Sequence, residues 1–131
     1  MQVLAFVHQQ NVIHRDIKPQ NIMRDRTGKI ILIDFGAVKE IQGMTFTQGQ
    51  ATSTISIGTV GYIPSEQALG KPRLCSDVYA VGMLAIQALT GVFPHTLLQN
   101  ENMGEVIWQD KANVTQKLAS IFTSIICYNF N

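Results

Sequence analysis

The stretch "HRDIKPQN", residues 14–21, gathers an acid, two cations and two carboxamides into eight consecutive positions. Pro19 blocks helix continuation and biases Lys18 toward extended backbone, so this chemistry sits on a loop. Upstream, residues 2–10 read as the end of an amphipathic helix, with Val3, Leu4 and Val7 on one face. Downstream, "NIMRD" (21–25) and "KIILID" (29–34) flank "RTG", a hairpin pattern with Gly28 in the turn. "DFG" follows at 34–36. Residues 37–61 are rich in Thr, Ser, Gln and Gly and show no sustained period. A loop of that length in a compact domain tends to be functional.

Regular structure returns at "CSDVYAVGMLAIQALTG", residues 75–91, which is apolar nearly all round and suits a buried helix. Ser76 is the expected N-cap and Gly91 the expected C-cap, with Pro94 just beyond. Residues 95–113 are polar and irregular. In "VTQKLASIFTSIIC" (114–127), Leu118, Ile121, Phe122, Ile125 and Ile126 keep a 3.6-residue period and predict a second amphipathic helix. The expected architecture is mainly α with small β-hairpins, an α+β arrangement in a single unit over 1–131, with the 76–90 helix as its core.

At 131 residues, one compact domain is expected and two are not. Apolar residues make up 46% of the chain. Charged residues make up only 15%, against a typical figure of about 25%, which fits an apolar surface left by a missing partner or domain and fits a slightly hydrophobic monomer equally. The net charge of +1 gives no electrostatic ground for nucleic-acid or membrane-surface binding. No apolar run reaches the roughly 18 residues that span a bilayer. The opening residues lack the basic start and cleavage site of a signal peptide. The cytoplasm is the expected compartment. Cys75 and Cys127 match no metal spacing and read as buried free thiols.

Three motifs lie in order: "HRDIKPQN", "DFG" and "GTVGYIPSEQ" at 58–67. Phosphoryl transfer asks little of a protein beyond a carboxylate to orient and deprotonate a hydroxyl, a cation for the moving charge, and oxygen ligands for metal ions. Asp16, Lys18, Asn21 and Asp34 are residues of the types that set needs, and the family resemblance these motifs carry implies their roles: Asp16 the base, Lys18 the cation, Asn21 and Asp34 the Mg²⁺ ligands. Taken alone, Asp34 reads as a turn residue after a strand; beside the other motifs it reads as a ligand.

With these motifs the chain resembles the C-terminal lobe of a eukaryotic-like serine/threonine protein kinase, over essentially its entire length. The wording of residues 61–91 is similar to bacterial, especially cyanobacterial, members. The resemblance implies ATP as substrate, Mg²⁺ as cofactor and a protein carrying Ser or Thr hydroxyls as acceptor. It puts Asp16, Lys18 and Asn21 at the catalytic centre and Lys18, Asn21, Met23 and Asp34 against the nucleotide. Lys18 is the serine/threonine form of the loop. Thr59 matches the threonine that bonds the catalytic Asp and Lys beside the substrate hydroxyl. His14 and Phe35 would stack within the internal spine, next to Gly36 of the "DFG" turn. Asp77 matches the buried acid under the catalytic loop, a place equally suited to a helix N-terminal acid. Arg15 matches an arginine that pairs with a loop phosphate, or else belongs to a structural network. The hydroxyls of Thr45, Thr47, Thr52, Ser53, Thr54 and Ser56 are the candidate acceptors, or else plain loop residues.

The chain departs from the family pattern in two places. No G-x-G-x-x-G occurs in it, and only about ten residues precede "NVIHRD", so the nucleotide-covering N-lobe is expected to be absent. A lobe supplied by another chain, or an intact kinase, is then an expected partner. Weak or absent activity of the isolated chain follows, and a non-catalytic remnant or docking module is the alternative. Glu66 occupies the position of an acid that pairs with a distal arginine, and it is expected to lack that partner. A buried pair broken in this way costs roughly 3–5 kcal/mol, and less where the acid is exposed. His8 and His95 have no evident partners, and Trp108 reads as packing.

Overall fold

The computed structural model describes residues 2–35, 39–40, 58–100 and 104–127. Helix α1, Gln2–Gln9, buries Leu4 and Val7, the face read from the sequence. Asn11 turns the chain with φ of 54°, a left-handed value that Asn tolerates better than most residues. Strand β1, Val12–Ile13, leads into the loop, and a short 3₁₀ turn at Pro19–Asn21 leads out of it. Pro19 opens that turn, where its missing N–H costs nothing, and Lys18 before it is extended at φ −158°.

Strands β2, Ile22–Arg24, and β3, Ile30–Leu32, form the expected hairpin, with Ile22 opposite Leu32 and Arg24 opposite Ile30. Gly28 takes φ of 88° in its turn, the left-handed value that favours glycine. The second pair is not a hairpin. Strand β4, Lys39–Glu40, runs antiparallel to β1, so this two-stranded sheet joins segments on either side of the loop and hairpin.

Helix α2, Ser65–Ala68, is a single turn. Helix α3, Leu74–Thr90, is the central element, burying Ala80, Met83 and Ile86. It begins before the expected cap: Arg73 is the N-cap, and Ser76 lies within the first turn. The Ser76 hydroxyl accepts from Arg73 N–H at 2.9 Å and donates to Glu66 at 2.8 Å, so it ties the helix start to α2. Gly91 ends the helix at φ of 71°, as read.

Beyond α3, the polar stretch folds into 3₁₀ turns at Pro94–Thr96 and Gln109–Lys111 and a bridge between Gln99 and Val106. Trp108 is 1% exposed and meets the Phe122 ring edge-on at 6.3 Å, so it does pack. Helix α4, Gln116–Ile126, is capped by the Thr115 hydroxyl. Its buried line runs through Ala119 and Ile126, with Phe122 and Ile125 packed alongside. Leu118 and Ile121, expected on the buried face, are 36% and 47% exposed. The apolar stripe is wider than the single face that α3 covers. Cys75 and Cys127 are free thiols, but half-buried rather than fully buried.

Gly82 lets α3 and α4 approach. A Cβ there would lie 2.6 Å from Ile125 Cγ2 and 2.9 Å from Ile126 Cγ2. Gly82→Val is therefore expected to lower unfolding free energy by about 1–3 kcal/mol through overpacking, measurable by urea denaturation.

Candidate active site

Residues 14–18 lie outside every helix and strand, so their shape depends on what grips them. Asp77, in the first turn of α3, is 1% exposed. Its Oδ2 accepts from His14 N–H and its Oδ1 from Arg15 N–H, both at 2.9 Å. His8, on α1, donates from Nε2 to Oδ2 at 2.9 Å. The expectation that His8 lacks a partner is thus corrected. Its partner lies 69 residues away, and nothing local announces it.

Arg15 is buried and held at φ of 72°, a left-handed value costly for a non-glycine residue. Gln67 of α2 donates to its carbonyl at 2.6 Å. The Arg15 guanidinium Nε has no hydrogen-bond partner among the described residues. The His14 ring accepts from Asp16 N–H at Nδ1, 3.3 Å, and donates from Nε2 to the Ile33 carbonyl, 3.0 Å. A single tautomer, Nε2–H, satisfies both contacts. Phe35 meets His14 at 4.8 Å, edge-on at 65° rather than in a parallel stack.

These contacts present Asp16 to a compact polar group. Lys18 Nζ lies 2.7 Å from Asp16 Oδ2. Thr59 donates to Asp16 Oδ1 at 2.8 Å and accepts from Lys18 Nζ at 3.0 Å. Asn21 Nδ2 donates to the Asp16 carbonyl at 2.8 Å and to Oδ2 at 3.1 Å. Asn21 is 5% exposed, so its carboxamide is held inside the loop. Ile33 N–H donates to the Asn21 carbonyl at 2.9 Å, which seats Asp34 beside the loop. Asp34 is exposed, with φ of 60°. Met23 lies exposed on β2. Gly36 and the loop hydroxyls at 45–56 lie outside the described residues.

Glu66 is not left without a partner, because Ser76 Oγ donates to it. His95 tilts against Phe93 at 5.8 Å. Sequence reasoning missed Gln67 altogether, since its contact with Arg15 spans 52 residues and no local pattern marks it.

Burial alone would raise the Asp16 pKa. Hydrogen bonds from Lys18, Thr59 and Asn21, with the Lys18 charge, outweigh it and hold the carboxyl below its ordinary value of 3.8.

The family described as protein kinase domain matches residues 1–129. The chain belongs to the protein kinase family. Among curated relatives, the serine/threonine-protein kinase PknA of Nostoc sp. is 49% identical over 130 residues, covering 97% of this chain and 23% of that protein. Serine/threonine-protein kinase C of Synechocystis sp. is 43% identical over 130 residues, 97% of this chain and 24% of that protein. Kinase B of Synechocystis sp. is 36% identical over 129 residues, 95% of this chain and 22% of that protein. The chain thus spans about a quarter of the length of these kinases. The cyanobacterial likeness read from residues 61–91 is borne out by these matches.

The Asp16 network contributes stability above the unfolded carboxyl pKa, and that contribution is lost as pH falls through the lower folded value. In a ¹³C-detected titration, Asp16 is expected to titrate below 3.8, and Lys18→Met to move it upward.

Proposed function

We propose that the chain carries the catalytic loop of an ATP-dependent serine/threonine protein kinase. One observation supports this above the rest: Lys18, Thr59 and Asn21 converge on the Asp16 carboxylate. A carboxylate so held is ionised at neutral pH and fixed in direction, as a base for a substrate hydroxyl must be. The Ser or Thr Oγ attacks the γ-phosphorus, its proton passes to Asp16, and the bond from phosphorus to the ADP oxygen breaks. Lys18 meets the charge on the transferring group. Thr59 keeps Asp16 and Lys18 in register beside the acceptor.

The donor set fits magnesium. Asn21 carries an amide oxygen and the exposed Asp34 a carboxylate, and hard oxygens in small number beside phosphate oxygens suit Mg²⁺. When bound there, Mg²⁺ neutralises charge on the phosphates. Met23, exposed on β2, is the apolar residue offered to the adenine side of the nucleotide.

The chain corresponds in this reading to the C-terminal lobe. A glycine-rich cover over the nucleotide comes from an N-lobe, in the same longer protein or in a separate chain, because no G-x-G-x-x-G occurs in the 131 residues. The cytoplasm, where ATP and Mg²⁺ are plentiful, is the proposed site of action. No helix among the described residues is long and apolar enough to cross a membrane.

Phosphate transfer from labelled Mg-ATP to a generic Ser/Thr substrate tests this, with the chain alone and with an N-lobe supplied. Asp16→Asn is expected to lower the rate at least about 100-fold wherever activity is found. Silence in every mixture, with the chain shown to be folded, would overturn the enzymatic reading in favour of a binding module.

Regulation by loop phosphorylation is part of the same proposal. The buried Arg15 Nε without a partner among the described residues supports it, since phosphate orders segments by pairing with arginine. Mass spectrometry of the active protein is expected to find phosphate among Thr45, Thr47, Thr52, Ser53, Thr54 and Ser56; none there would count against it.

A further inference from the structure

The Arg15–Asp16 peptide group is gripped at both of its polar atoms. Its carbonyl oxygen, that of Arg15, accepts from Gln67 Nε2 at 2.6 Å. Its N–H, that of Asp16, donates to His14 Nδ1 at 3.3 Å. A peptide group is planar, so a grip at both of those atoms restrains the plane that leads to the Asp16 Cα. Asp77 holds the preceding peptide group through Arg15 N–H. The Arg15 φ of 72° lies between the two grips. A left-handed conformation in a bulky residue persists only when its surroundings over-determine it, and here they do.

Gln67 is 3% exposed, so its amide is committed to the interior. Gly58 packs against the same contact. A Cβ on Gly58 would stand 2.8 Å from Gln67 Nε2 and 3.0 Å from the Arg15 carbonyl. The backbone at Gly58, the Gln67 amide and the Arg15 carbonyl therefore meet at one point. Between Gly58 and Gln67 lies Thr59, which bonds the Asp16 carboxylate. One segment, residues 58–67, thus reaches Asp16 twice, at its side chain and at the peptide group before it.

We propose that Gln67 is a positioning residue for phosphoryl transfer: by holding the Arg15 carbonyl it aims Asp16 and couples the 58–67 segment to the catalytic loop. The catalytic half of this rests on the kinase reading above. The structural half does not.

Gln67→Met removes the donor at similar length, and Gln67→Glu replaces it with a group that donates only when protonated. In the isotopically labelled chain, Gln67→Met is expected to shift the Arg15 carbonyl ¹³C and Asp16 amide ¹⁵N resonances while the Arg15 amide, bonded to Asp77, stays in place. Gln67→Glu is expected to match Gln67→Met at high pH and to return toward the parent shifts as pH falls. In the phosphate-transfer assay, Gln67→Met is expected to lower kcat about 10- to 100-fold with KM for Mg-ATP unchanged. The proposal is overturned if both resonances stay in place in Gln67→Met, or if they move and kcat does not. Should Gln67→Met not fold, Gln67→Glu alone decides: a difference from the parent shifts that stays the same at every pH overturns the proposal. If the parent protein transfers no phosphate, the kinase reading fails by itself, and the resonances still decide whether Gln67 sets the Arg15–Asp16 peptide.

Discussion

The buried carboxylate of Asp77 takes three donors, His14 N–H, Arg15 N–H and His8 Nε2. A buried acid without such partners is expensive, and backbone amides without acceptors are expensive as well. Each side of this contact satisfies the other. Residues 14–18 have no ladder or helix of their own to satisfy those amides, so their shape is borrowed from α3. With Asp77 in place, the left-handed turn at Arg15 becomes the available path, and that turn presents Asp16 outward.

Around this anchor the molecule splits into two kinds of region. The apolar kind is the packing of α3 with α4, closed over Gly82 and sealed by Trp108 and Phe122. It asks for area and fit, and it fixes where the start of α3 stands. The polar kind is the cluster of Asp16, Lys18, Asn21 and Thr59, which buries little apolar area and depends on direction. Asp77 belongs to both, because it sits on the core helix and holds the polar loop. Disturbance of the core at the start of α3 is thereby felt at Asp16.

Much of the fold was legible along the chain. The period of α1, the Gly28 hairpin turn, the Gly91 stop and the existence of α4 are local properties, and the structure has them where they were read. Ser76 was misplaced as a cap because its hydroxyl serves α2 through Glu66 as well as the helix start. Leu118 and Ile121 were read as buried because periodicity shows that a stripe exists and not how much of it a neighbour covers. At the site, the residue types were legible because their motif is contiguous, and the kinase family follows from them and from the match over residues 1–129.

Residues 14–21, 34–36 and 58–67 determine from the linear chain which chemical groups are present and which family they belong to. The tertiary structure alone decides that His8 meets Asp77, that Gln67 meets Arg15 and that Ser76 meets Glu66. A helical or strand period arises from neighbours a few positions apart and is written in order along the chain. Contacts across 52 or 69 residues have no such record, because the packing of α1, α2 and α3 around the loop creates them.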